Sequence, residues 1–280
     1  MLKISVIMSV YNTQPDWLKE SIDSILNQTY SNFEFIIVND GSTEDIDSVI
    51  NSYNDSRIVY IKQENSGLPV ALNKAISVAK GEYIARMDSD DISVLDRFQK
   101  QVKYLEENPD VSVVGGWFEN TMTKKVFEAP AEVSYLRLLH SCCMVHPSVM
   151  FRKKDFEKYE YKYNENFRVA QDYELWSRVI RNLKMANIQE VLLKYRWHDK
   201  NASVLRKKEQ EGNAYKVRQA MLNWLSSDIK YQHKIMDMLY EPEFSFWEKI
   251  FSIKNQNNLY GEKYKIYTIL GIKIKIKRNK

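Results

Sequence analysis

Hydrophobic positions along the chain follow two alternating periods. Lys3 to Val10 is a short apolar run bounded by polar residues, and from Pro15 onward Trp17, Leu18, Ile22, Ile25 and Leu26 recur at helical spacing. The pair repeats: Phe33 to Val38 reads as a strand, with Ile46, Val49, Ile50 and Tyr53 on one helical face after it. Arg57 to Ile61 is the next strand, and Leu68, Ala71, Leu72, Ala75, Ile76 and Ala79 mark a helix that Gly81 is expected to end. Glu82 to Met87 supplies a fourth strand. Such alternation predicts an α/β fold with a mostly parallel central sheet flanked by helices, since each crossover must return over a face of the sheet.

Beyond Ser93 the pattern is less regular. It predicts a helix to about Glu107, strands over Val111–Val114 and Ser148–Phe151, and a helix starting near Gln171-Asp172 that buries Leu175, Trp176 and Val179. A strand from Val191 to Trp197 then ends at His198. The expected organisation is a catalytic domain over 1–205, divided into halves 1–110 and 111–205, a helical extension over 206–258, and a short basic tail over 259–280. In the extension Phe244, Phe246, Trp247, Ile250, Phe251 and Ile253 make an aromatic-rich helical stripe; in the tail apolar residues take mostly even positions and Lys263, Lys265, Lys273 and Lys275 odd ones, the period of a strand with one basic face.

Composition narrows the classes. At 280 residues with 44% hydrophobic content the chain can bury one substantial core plus an appendage. No apolar run approaches the roughly 20 residues of a membrane-spanning helix, and Met1-Leu2-Lys3-Ile4 lacks the apolar stretch of a secretion signal, so a cytoplasmic location is expected. Cys142 and Cys143 are adjacent and fit neither a structural disulfide nor a metal-ligand spacing. The tail is net +6 while the whole chain is +4, which leaves the rest at −2. A main body of that charge argues against nucleic acid as a partner.

In open sheets of this kind ligands bind outside the carboxyl ends of the strands. Those ends carry Ser9-Val10-Tyr11-Asn12, Asn39-Asp40-Gly41-Ser42, a loop through Asn65-Ser66-Gly67, and Asp88-Ser89-Asp90-Asp91. Three carboxylates in four residues repel one another unless a cation sits among them, and a hard divalent ion with oxygen ligands is the usual solution. A helix-capping loop would have the same composition, and Asn39 to Ser42 could be a turn and no more.

Four ordered segments, Ser5 to Asn12, Val38 to Ser42, Gly81 to Asp91 and Gln171 to Trp176, resemble the motif set of family 2 glycosyltransferases, over roughly residues 3–205. The resemblance implies a GT-A type, Rossmann-like fold and an inverting transfer from a UDP-sugar. It implies contacts to uridine from Ser9, Val10, Tyr11 and Asp40, to ribose from Asp88, and to Mn2+ or Mg2+ from Asp90. Asn65, Gly67 and Ser89, which stand at the same strand ends, complete the candidate donor contacts. Arg86 either balances the acidic cluster, touches the diphosphate or forms a salt bridge; Asp91 coordinates through water, orients the sugar or caps a helix. Asp172 matches the catalytic base, although Gln171 replaces the Glu that often precedes it. His198, after Tyr195-Arg196-Trp197, is the second candidate metal ligand, and His146 would shape the acceptor side.

The expected activity is transfer of a hexose or N-acetylhexosamine to a glycan or lipid-linked acceptor in bacterial surface-polysaccharide assembly. The tail would then touch an anionic membrane, at the cytoplasmic face of the inner membrane, with each lysine near the headgroups contributing about 1 kcal/mol. Two alternatives stay open: a sugar-1-phosphate nucleotidyltransferase, which should carry a Gly-rich triphosphate loop near the first strand, and a non-catalytic carbohydrate-binding scaffold with the same fold.

Overall fold

A computed structural model of the chain describes residues 2–199, 201–227, 251–257, 263–269 and 272–277, in two compact units, Met1–Arg218 and Gln219–Lys280. The first unit opens with β1 (Ile4–Val10), α1 (Pro15–Leu26), β2 (Phe33–Asp40), α2 (Ile46–Asn51), β3 (Ile58–Gln63), α3 (Leu68–Val78) and β4 (Tyr83–Asp88). Order in the sheet is β3-β2-β1-β4, all parallel, and the register sets Ser9 beside Asp88, Val10 beside Asn39 and Asp40 beside Gln63. All four strands therefore end on one rim.

Both faces of these strands are covered, which is why β1 and β2 read as continuous apolar runs. Val6, Met8, Phe35 and Ile37 are buried in the same cluster as Leu18, Ile22 and Ile25 of α1. Gly81 plays a different part from the expected helix cap: α3 has already ended, and a Cβ at Gly81 would lie 2.4 Å from the backbone nitrogen of Ser5. Only a residue without a side chain lets the chain enter β4 against β1.

The second half adds β5 (Ile92–Ser93), α4 (Arg97–Glu107), β6 (Val111–Asn120), β7 (Val126–Phe127), β8 (Glu132–Val133), α5 (Tyr135–His140), a single 3-10 turn at His146–Ser148, β9 (Met150–Arg152), α6 (Lys153–Lys158), α7 (Gln171–Val179), β10 (Lys184–Tyr195), α8 (Ala202–Leu205) and α9 (Lys207–Ser227). The sheet continues β4-β9-β6-β10-β5, with β9 antiparallel to both neighbours and β6 parallel to β10. Strand β10 begins seven residues before the expected Val191. Register shifts near Ile188, Val191 and Leu193 break its alternation, so only the last stretch looked like a strand.

The first compact unit ends at Arg218, within α9. In the second unit β11 (Phe251–Asn257), β12 (Lys263–Ile269) and β13 (Ile272–Lys277) form an antiparallel sheet in that order. Phe251 and Ile253 thus stand in a strand rather than a helical stripe, while Phe244, Phe246, Trp247 and Ile250 lie outside the described residues. The tail is two strands, paired antiparallel with Ile269 against Ile272; the side chains of the expected basic face lie outside what the structure describes. Among the described residues no helix is long and apolar enough to cross a membrane.

Candidate active site

The rim where β1 to β4 end opens into a cleft of about 860 Å³. Ser9, Tyr11, Asp40, Asn65, Gly67, Asp88, Ser89, Asp90 and His198 all line it. Val10 does not: it is 0% exposed and belongs to the core, so any contact it makes to a ligand is through backbone.

Asp40 is committed to the loop after β3. Its Oδ1 accepts hydrogen bonds from the Ser66 backbone N–H (2.9 Å) and the Gln63 amide (2.7 Å), and its Oδ2 accepts from the Gly67 N–H at 2.8 Å. A carboxylate offers about four lone-pair sites, so little capacity remains for a base. Gly67 stands at the start of α3 with φ +93°, a conformation that suits glycine, and this delivers its N–H to Asp40. Asn12, also at positive φ, ties the neighbouring loops together: its Oδ1 accepts from the Thr43 N–H at 2.8 Å.

The acidic cluster is anchored from both sides. Ser21 of α1 donates to the Asp88 carbonyl at 2.8 Å, and the Ser89 hydroxyl lies 2.6 Å from that of Thr13. From the far end of the sheet, the Arg196 backbone N–H donates to Asp91 Oδ1 and its Nε to the Asp90 carbonyl, both at 2.8 Å. His198 Nε2 then lies 2.9 Å from Asp90 Oδ2, with the imidazole over the Trp17 ring at 4.6 Å. Asp91 is 0% exposed, so its clearest part is to hold the end of β10 against the cluster.

These groups fit a divalent cation. Ligand oxygens of Asp88, Asp90 and Asp91 lie within 4.8 Å of one another, and Asp91 Oδ2 is buried with no hydrogen-bond partner. Burial, then the neighbouring carboxylates, raises the pKa of Asp90 and pushes that of Asp91 well up. Such crowding disfavours two adjacent anions in the absence of positive charge, and all-oxygen donors suit Mg2+ or Mn2+.

Arg86 resolves as a salt bridge. Its guanidinium is 2% exposed, pairs with Asp88 through Nη2 and does not line the cleft, so it reaches a donor only through Asp88; Nε and Nη1 have no partner. His146 is buried and bonded through Nε2 to the Tyr163 hydroxyl at 2.8 Å, and burial holds its pKa well below the usual histidine value. It is a neutral packing residue, not a group presented to an acceptor.

Asp172 stands in the first turn of α7, after Ala170 in a left-handed conformation at φ 57°. Burial raises its carboxyl pKa, opposed by the Tyr173 N–H and by the charge of Arg86. The Cys142 thiol approaches Asp172 Oδ2 at 3.9 Å; desolvation and that carboxylate's charge push its pKa well up, so it stays a thiol. Trp17, Arg168 and Arg206 also line the cleft without having been singled out in the sequence. Trp17 had been absorbed into the apolar face of α1. For Arg168 the one available signal was its place four residues before Asp172.

A Rossmann-like sheet whose strand ends cradle a cleft with a half-buried acidic cluster has the architecture of the GT-A class of sugar transferases. Residues 5–168 match the family described as glycosyl transferase family 2, and the chain belongs to it. That membership sets aside the nucleotidyltransferase alternative; the match stops at Arg168, short of Asp172 and His198. Among relatives, the Escherichia coli O-antigen biosynthesis glycosyltransferase WbnJ is 38% identical over 209 residues, covering 71% of this chain and 81% of its own. The E. coli UDP-Glc:alpha-D-GlcNAc-diphosphoundecaprenol beta-1,3-glucosyltransferase WfaP is 29% identical, over 91% of this chain and 98% of its own. S. aureus TarS 1–349, solved in complex with UDP-GlcNAc, superposes with a TM-score of 0.69 at 18% identity, over 83% of this chain and 69% of that one, a likeness of fold.

Proposed function

We propose that the chain transfers a hexose or N-acetylhexosamine from a UDP-sugar to a hydroxyl of a glycan or lipid-linked acceptor, with inversion, in the assembly of a bacterial surface polysaccharide. The observation that carries this reading is the Asp88-Asp90-Asp91 cluster at the rim of the cleft, tied to His198 across the sheet. Names of relatives support it, since WfaP is named for a UDP-glucose donor and a lipid diphosphate acceptor.

In the reaction, Asp172 takes the proton of the acceptor hydroxyl as that oxygen attacks the anomeric carbon, and the bond from that carbon to the diphosphate breaks. A raised pKa suits Asp172 to this task, because a base works best with a pKa near the working pH. Asp90 and His198, with Asp88 or Asp91, would hold a divalent cation, which when bound supplies positive charge to the departing diphosphate. Arg86 pairs with Asp88 beneath the site. The basic tail over 259–280, net +6, would meet an anionic membrane surface.

UDP release from a panel of UDP-sugars with manganese, with and without lipid-diphosphate sugar acceptors, tests the reading. Acceptor-stimulated release with one donor is expected. No release or transfer with any donor would leave a sugar-binding scaffold as the better description.

A further inference from the structure

The cleft is strongly acidic for a site that must take a diphosphate. Among the described residues Asp40, Glu44, Asp88, Asp90 and Asp199 line it, against two guanidinium groups, Arg168 and Arg206. Arg206 is already neutralised, since both arms of its fork bond Glu209 at 2.8 Å. Arg168 is exposed and has no hydrogen bond or ion pair with any described residue. An unpaired arginine on the wall of an acidic cleft is a cation held for an anion that arrives from solution.

We propose that Arg168 binds the β-phosphate of the donor and stabilises it as it leaves, an assignment that rests on the UDP-sugar reading above. Chain geometry supports the choice of phosphate. Asp40 and Asp88 mark the nucleoside end at the rim of β1, β2 and β4, whereas Arg168 enters from the segment that leads into α7 and carries Asp172. In the transfer the acceptor oxygen bonds to the anomeric carbon, its proton passes to Asp172, and the electron pair of the broken carbon–oxygen bond stays on the β-phosphate. Charge therefore builds on that group, and a planar guanidinium fork matches its oxygens bidentately where an ammonium cannot. Left-handed Ala170 separates Arg168 from Asp172, so one short segment would present a cation to the leaving group and a base to the nucleophile.

Calorimetric titration of the full chain with UDP and with UMP, both with manganese, tests the assignment, because only UDP carries the second phosphate. Arg168→Ala is expected to lose about 10- to 100-fold in UDP affinity, the range for a charged hydrogen bond, with UMP affinity unchanged within about 2-fold. Arg168→Lys should recover part of the loss, and thermal unfolding should not move, since the side chain has no partner among the described residues to lose. An Arg168→Ala protein that binds UDP as well as wild type, or that loses UDP and UMP equally, overturns the proposal. A wild-type protein that binds no UDP overturns the donor reading itself, and does so before any variant is made.

Discussion

The two ends of the site are built in different ways. At the rim of β1 to β4 each candidate residue follows directly on its own strand, and nearby loops hold it: Asp40 is bonded by Gln63, Ser66 and Gly67 of the next β-α connection. On the opposite side the groups arrive from far along the chain. His198 meets Asp90 and Arg196 meets Asp91 across more than a hundred residues, and Asp172 stands beside Cys142 from another element. A local site survives as long as its loops do; a site laced across the sheet depends on the whole register of β10.

Asp172→Asn should divide the two sides most sharply. Turnover is expected to fall about 10²- to 10⁴-fold, the usual contribution of a general base, while UDP affinity measured by calorimetry stays within about 2-fold of wild type. Equal loss of both would mean that Asp172 supports the donor side instead. Next in size, Asp40→Ala leaves two loop N–H groups and an amide without their acceptor, at about 1–3 kcal/mol for each group that stays buried. Denaturant unfolding should show that loss together with weaker UDP binding; a drop in UDP affinity at unchanged stability would instead make Asp40 a direct base contact.

The distant side is probed by His198→Ala, expected to weaken manganese affinity about 10- to 100-fold with UMP binding retained. Its pH dependence carries a definite sign. Burial raises the carboxyl pKa values of Asp90 and Asp91 in the folded chain, and a cation binds the ionised forms, so its binding releases protons and its affinity falls as pH drops through those raised values. Loss should begin at higher pH than for an ordinary carboxylate site. Folding without metal runs the other way: the raised values favour the protonated folded form, so these two groups weaken stability above the unfolded carboxylate pKa and less so as pH falls. Titrating manganese from pH 7 down into the ordinary carboxylate range checks the first statement; loss that begins no higher than for an ordinary carboxylate site would remove the two carboxylates from the ligand set. The smallest effect concerns the second unit. Deleting residues 259–280 should release the chain from anionic vesicles in a sedimentation assay; a shortened chain that sediments as well as the full one would discard the membrane contact.

Legibility in the sequence follows the same division. Apolar runs of β1, β2 and β4 and the polar segments after them are contiguous, so Ser9, Tyr11, Asp40, Asp88 and Asp90 could be read directly, and they do line one cleft. Bulges in β10 hid its first half, and the tail, whose parity reads as one strand, is two strands that pair Ile269 with Ile272. Val10 and Arg86 show a subtler limit. Each stands at a strand end, as contact residues do, yet alternation along the strand turns Val10 into the core, and Arg86 lies buried beneath Asp88.

By itself the chain's order of residues determined the family, the parallel half of the sheet and the location of the acidic cluster, because these depend on periodicity and on neighbours a few positions apart. Tertiary structure alone decided that Arg196, His198 and Asp91 lock the cluster from across the sheet, that His146 is a neutral packing residue, and that Arg168 lines an acidic cleft with no ion-pair partner among the described residues. The physical reason is that partnership and burial are set by which distant elements meet. A charge read along the chain says nothing of whether another charge already neutralises it.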